Sequence, residues 1–281
     1  MSNIVRKQMH GAAAMELRVG NGVLAGLVAA EYTRIVSKLE HVTLTAGQEL
    51  YRAGQRIEAV YFPEDAVIAM IDRLKDGRSV EVGIIGREGM VGINIFLGGV
   101  VTVDQAVVQL SGRATRMAVA ALRGETYCGS PLQQLLLGYA RTFLAVISQS
   151  VACSQHHGID QRLARLLLSF SAYAGARELR LDQACIAALL GVRRAGVSVS
   201  AGRLQAQGVL SYRRGVIRII DRRTLETKTC ECRQFITAQY AQFRRSVTLR
   251  CAQVERDCSA SVGVKKRQRS AGARRLQPRR L

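Results

Sequence analysis

The sequence predicts an α+β fold: a sandwich or jelly roll of short strands first, then a long helix, then a compact unit of short helices closed by a hairpin. Three observations carry this. Between His41 and Tyr127, β-type runs alternate with Gly-containing breaks at close spacing. From Ser130 to Cys153 the apolar period changes from two to three-and-four. Beyond Gly158, two helical stretches are separated by a single Gly and followed by a basic hairpin.

Residues 1–40 form a leader segment. Leu24, Leu27, Val28, Ile35 and Leu39 fall roughly on one face of a helix. The expected strands follow: Val42 to Leu44, Gln48 to Tyr51, Ala59 to Phe62, Val67 to Leu74, Ser79 to Ile85, Gln105 to Leu110 and Ala114 to Val119. Asp76-Gly77 is a strong hairpin signal, because such dipeptides tolerate the positive φ that tight turns need. Residues 41–127 therefore make one β domain.

Residues 128–157 are expected to form one helix. Leu132, Leu136, Tyr139, Phe143 and Val146, continued by Ser150, alternate at spacings of four and three, a heptad-like seam. Such a seam is buried on its own domain or on a second copy of the chain. Leu135, Ile147 and Val151 widen the face enough for both, and self-association is the favoured reading of these five residues.

Residues 158–226 hold the second domain. An amphipathic helix from Asp160 to Tyr173 places Leu163, Leu166, Leu167 and Phe170 on one side. Asp182 is an N-cap for a helix over Gln183 to Leu190, which Gly191 ends. A second helix runs from Arg193 to Gln207. Ala187 is small enough for a steep crossing, and Ile186, Leu190, Val192, Val197 and Leu204 supply the shared core. Ser200 stands where a larger apolar residue is usual. Val209 to Ile220 then reads as a hairpin with Arg213-Arg214-Gly215 at its tip. This is the pattern of a winged helix-turn-helix, whose second helix enters the DNA major groove. The expected DNA contacts are Asp182, Gln183, Arg193, Arg194, Gly196, Ser198, Arg203, Arg213 and Arg214. Residues 227–281 add a C-terminal helix and a basic tail.

Charge supports the same partner. The net charge is +20, yet residues 1–157 carry only +2 and residues 158–281 carry +18. Residues 264–281 hold eight basic and no acidic side chains, and removing them still leaves +10 on residues 158–263. A phosphate backbone is the natural counterpart of such a field. Trp is absent, which excludes Trp stacking platforms for single strands. Seven unpaired-looking Cys and the lack of a secretory leader point to a reduced, cytoplasmic setting. No apolar run approaches a bilayer span, so no membrane partner is expected.

Metal and cofactor chemistry look unpromising at this level. Cys153, His156 and His157 lie close in sequence, but a helix junction with ordinary polar residues is the preferred reading. Cys230-Glu231-Cys232 has a one-residue gap, poor for zinc, which favours structural or redox-sensitive thiols. Neither a cofactor nor a metal is expected. A catalytic β domain of this type needs His and carboxylate ligands inside it, and His41, at its entrance, is the only His between His41 and Tyr127. An enzyme is therefore not expected.

Taken together, several stretches resemble the Crp/Fnr superfamily of bacterial transcription regulators. They are Leu44 to Tyr51, Val60-Tyr61-Phe62-Pro63, Val82 to Gly92, Gln161 to Leu167, Gly191-Val192-Arg193-Arg194 and Tyr212 to Gly215. The resemblance implies a cupin-like β-roll sensor, a long dimerisation helix and a winged helix. It implies a homodimer on a two-fold-related operator in double-stranded DNA, with RNA polymerase as a further partner. The alternative is a cupin-type sensing module that regulates a protein partner, with nonspecific DNA or RNA affinity from its tail. Members that bind cyclic nucleotides hold the ribose with a Gly-Glu pair and the phosphate with an Arg-Ser pair. The matching positions here are Gly92-Ile93 and Asp104-Gln105, so cyclic AMP binding is not expected. Ala195 and Val199 also replace a Glu and an Arg of some members' recognition helices, so base preference is not carried over.

Overall fold

A computed structural model of the protein describes residues 20–77 and 79–249. Two antiparallel sheets form the first domain. One has the order β1-β7-β3, with β1 Leu39–Leu44, β3 Ala59–Pro63 and β7 Gly112–Ala118. The other has the order β2-β6-β4-β5, with β2 Glu49–Tyr51, β4 Val67–Arg73, β5 Ser79–Ile85 and β6 Gln105–Leu110. Alternation sends Val60, Phe62, Ile68, Met70, Ile85, Ala106 and Val108 into the space between the sheets. This is the expected roll, and β5 and β6 begin and end where the sequence pattern places them.

Strand β4 is buried on both faces. Ile68 and Met70 face the roll interior, while Val67 and Ala69 join a second core together with Ile84 and Leu110. The register between β4 and β6 shifts between Val67 and Ile68, which lets Leu110 point outward although Ala106 and Val108 point in. That outward face is what the second domain packs against.

The leader is not one amphipathic helix. It is a 3₁₀ turn at Leu24–Gly26, a short helix α1 at Ala29–Ile35 and another 3₁₀ turn, and Leu39 already belongs to β1. Asn21 explains why it stays in place. Its Nδ2 donates to Pro63 O (2.7 Å) and Gly89 O (3.0 Å), and its Oδ1 accepts from the Val23 and Leu24 amides. Its buried polar atoms are thus satisfied, while Val23, Leu24 and Leu27 enter the roll core. Two short helices, α2 Ile93–Phe96 and α3 Val119–Glu125, complete the roll; Val119 starts a helix rather than ending a strand.

The long helix α4 runs Pro131–His156, capped by Ser130, whose side chain accepts from the Gln133 amide. It is long and apolar enough to cross a bilayer, but its inner face is a core face. Leu132, Leu136, Tyr139, Phe143 and Val146 are all buried inside this chain's own core. The self-association reading of these five residues is therefore corrected: their surface is spent on the roll. Gly83 and Gly89 make the close approach possible, since a Cβ at Gly83 would lie 2.9 Å from Phe143 and one at Gly89 2.4 Å from the Tyr139 hydroxyl. That hydroxyl donates to Met90 O.

The second domain contains α5 Ile159–Ala174, β8 Glu178–Arg180, α6 Gln183–Leu190, α7 Arg194–Ala206, β9 Leu210–Arg213, β10 Val216–Ile219 and α8 Arg222–Thr227. A final helix, α9, spans 232–249. It returns to the roll, where Ile236, Tyr240 and Phe243 join the core beside Tyr139. The basic tail at 264–281 lies outside the described residues, as do Cys251 and Cys258.

Candidate nucleic-acid interface

Asp182 caps α6 by accepting from the Cys185 amide at 2.7 Å. Gly191 ends that helix with φ of +62°, a left-handed value that a side chain would strain. The chain then turns through 108° into α7. Ile186, Ala187, Leu190, Val197 and Leu204 are buried between the two helices, as the spacing predicts. Ser200 is buried with them, and its hydroxyl has no hydrogen-bond partner.

Arg193 is the N-cap residue of α7 but makes no capping bond, which leaves its guanidinium free of helix duty. Arg193, Arg194, Ala195, Ser198 and Val199 are exposed on one side of the helix, at its N-terminal end. Ser198 Oγ donates to Gln183 Oε1 at 2.6 Å, which ties the second helix to the first. Arg203 is paired with Asp160 at 3.2 Å. Gly196 is not a surface feature: a Cβ there would lie 2.9 Å from Ile159 Cδ1, so it serves the packing of α7 on α5. Of the nine expected DNA contacts, Asp182 and Gly196 thus have structural tasks, and Arg203 has an exposed ion pair with Asp160.

The hairpin tip is a two-residue turn, Arg214-Gly215, between Arg213 and Val216. Both turn residues have positive φ, +49° and +77°. That is the turn type whose twist suits a tight hairpin, and Asn-Gly is its preferred sequence. Arg at the first position is an uncommon choice, and it exposes a cation at the tip. The wing is the edge of a three-stranded sheet of order β8-β10-β9; the short strand β8 had no sequence signal strong enough to find it. Among the described residues, no carboxylate pairs with Arg193, Arg194, Arg213 or Arg214, whereas Arg218, Arg222 and Arg233 all have acidic partners. Four cations without a carboxylate partner thus stand on the recognition helix start and the wing tip, and Arg177, Arg180 and Arg223 are further exposed cations of the domain without one.

The domain is docked on the roll. Cys185 Sγ donates to Gln109 Oε1 at 2.9 Å, and a Cβ at Gly191 would touch Val80 at 3.3 Å. Arg162 donates to Leu190 O at the end of α6. On β5, Glu81 faces Arg162 and Arg165 of α5, and burial raises its carboxyl pKa to about 7 against the pull of those two cations.

A tight helix pair with exposed cations on the second helix and a basic wing is the geometry of a DNA-binding winged helix-turn-helix. Residues 161–228 match the Crp-like helix-turn-helix domain. Over 68–72% of its length the chain shares the fold of solved Crp/Fnr regulators. FixK2 from Bradyrhizobium japonicum is 17% identical with a TM-score of 0.59, over 68% of this chain and 98% of that one. A putative Crp/Fnr-family regulator from Eubacterium rectale is 17% identical with a TM-score of 0.57, over 72% and 94%. The c-di-GMP responsive global regulator CLP of Xanthomonas campestris is 17% identical with a TM-score of 0.55, over 68% and 98%. No curated protein matches the chain by sequence. Through this Crp-like helix-turn-helix domain the chain is a DNA-binding transcription regulator.

Proposed function

We propose that the protein acts as a cytoplasmic homodimer on a two-fold-related operator, with Arg193, Arg194, Arg213 and Arg214 as its principal DNA contacts. The observation that carries this is the set of four cations without carboxylate partners on the α7 start and the wing tip. Ser198 and Val199 are exposed one turn further along α7, able to offer a hydroxyl and an apolar contact to a base edge. RNA polymerase is the expected further partner, and no membrane role is proposed.

The proposed dimer uses the outer face of α4. Leu137, Leu144 and Val151 are 52%, 60% and 60% exposed and lie seven residues apart, one stripe along the helix. A second copy presenting the same stripe covers it isologously. The roll is the sensor half. Ile93 is buried in a core that also holds Tyr51 and Met70, which supports a domain that does not take cyclic AMP.

Footprinting on the region upstream of the protein's own gene tests the reading. Two protected half-sites centred about 34 Å apart are expected. Protection without two-fold symmetry refutes the dimer, and absence of any sequence-dependent protection refutes the regulator. Affinity should fall steeply with salt, and the salt slope should shrink by about one for each phosphate-contacting Arg removed.

A further inference from the structure

We propose that Cys153, His157, Cys230 and Cys232 form a tetrahedral zinc site that ties the end of α4 to the start of α9 and the residues just before it. These four side chains come from two stretches of the chain more than seventy residues apart, and their ligand atoms all lie within 4.8 Å of one another. Cys153 Sγ is 3.5 Å from Cys230 Sγ, and Cys232 Sγ is 3.5 Å from His157 Nδ1. In a tetrahedron the ligand–ligand edge is about 1.6 times the metal–ligand distance. Zinc–sulfur bonds of about 2.3 Å and zinc–nitrogen bonds of about 2.0 Å then require edges of roughly 3.5–3.8 Å. The two spacings of 3.5 Å lie at that value, and the other ligand pairs lie within 4.8 Å, a gap that small side-chain shifts close on binding. They are too long for a disulfide, whose sulfurs bond at about 2.05 Å.

The surroundings fit a metal as well. His157 turns Nδ1 toward the sulfurs and its Nε2 toward Glu231 Oε1 at 3.2 Å. A carboxylate on the far nitrogen fixes the proton there and leaves the near lone pair for the ion. Gln149 Nε2 donates to Cys232 Sγ at 3.1 Å, a bond that a thiolate accepts well. All three Cys are buried, forming a small cluster apart from both main cores. Binding replaces three thiol protons, which leave to solvent, and the resulting Cys₃His site carries one net negative charge. Arg162 and Arg165 are near enough to act on Cys153 electrostatically and offset that charge. Four ligands in so small a volume suit one ion rather than a multi-iron cluster, and three thiolates with one imidazole favour zinc.

The position gives the site a consequence. His157 and Gly158 join α4 to α5, so the ion would clamp the joint on which the DNA-binding domain is set. Sequence spacing alone points away from this site, because Cys-Glu-Cys offers only half of it and the other half lies far upstream.

Metal analysis of the full-length protein, purified under reducing conditions from zinc-supplied cells, is the test. About one zinc per chain is expected, and exchange for cobalt(II) should give the visible bands of tetrahedral cobalt–thiolate. Cys128→Ser, outside the cluster, should keep the metal, and Cys230→Ser should lose it. Chelation should lower Tm by several degrees. The proposal is overturned by a folded wild-type protein with no zinc and no cobalt spectrum, by a Cys153–Cys230 disulfide in peptide mapping, or by full zinc content in Cys230→Ser/Cys232→Ser. Should the variants fail to fold, the wild-type metal content and cobalt spectrum decide alone. None of these readouts depends on DNA, so their outcome is separate from that of the operator experiment.

Discussion

Replacing Glu81 with Gln should stabilise the protein at alkaline pH and leave it unchanged in acid. Glu81 sits on β5 against α5, where burial raises its pKa from 4.5 to about 7 despite Arg162 and Arg165. Below pH 4.5 the group is protonated folded and unfolded alike and contributes nothing. Between 4.5 and 7 the unfolded chain releases the proton while the folded chain keeps it, so stability falls as pH rises. Above 7 the whole cost is present. At about 1.4 kcal/mol for each pH unit, the full span amounts to about 3 kcal/mol. The side chain keeps some solvent contact, so about 1–3 kcal/mol is the expected range. Gln reproduces the neutral form at every pH. Urea unfolding of both proteins at about pH 8 and about pH 4.5 should then show a higher midpoint for Glu81→Gln only at the alkaline value. Equal midpoints at both, or a weaker variant at pH 8, would refute the reasoning, because the arginines would then outweigh the burial.

Four other positions carry predictions of the same kind. Ser200→Ala removes a buried hydroxyl that bonds to nothing, so it should raise stability by about 1–2 kcal/mol in denaturant titration and leave DNA affinity unchanged. Arg214→Asn relieves a left-handed backbone that Asn tolerates better; the wing should hold at least as well by hydrogen exchange while DNA binding weakens several-fold. Phe143→Ala should cost about 3–5 kcal/mol of folding free energy, whereas Leu144→Asp should leave folding within about 0.5 kcal/mol but shift sedimentation toward the monomer.

Most of the β-roll was legible because its signals are local. Runs such as Ser79 to Ile85 and Gln105 to Leu110 are bounded by Gly or polar breaks, and β pairing merely accepts those bounds. The helix-turn-helix was legible for the same reason, since Asp182 and Gly191 act on their own helix. Failures occurred where tertiary contacts decide. The leader follows the demands of Asn21 and the roll core rather than its own period. Gly196 looks like an exposed small residue until Ile159 is placed beside it. Four side chains of the candidate metal site converge only when α9 folds back on α4, which no pairwise spacing reveals.

The long helix shows why a heptad pattern alone does not name its partner. Helix α4 carries two apolar stripes. The richer one, through Leu132, Leu136, Tyr139, Phe143 and Val146, goes to the larger hydrophobic reward, which is the chain's own core. The leaner one, Leu137, Leu144 and Val151, is interrupted by Arg141 and Ser148 and remains outside. Full burial of such a side chain contributes about 1.5–3 kcal/mol, and these are 52–60% exposed to begin with, so covering six of them in a symmetric pair contributes about 5–10 kcal/mol. Association itself costs about 4–15 kcal/mol, which leaves a dimer whose strength rests on very few residues. One charged substitution on that stripe therefore suffices to dissociate the proposed dimer, whereas a single cavity in the inner stripe threatens the fold. The two stripes are told apart by which of these failures follows, not by their spacing.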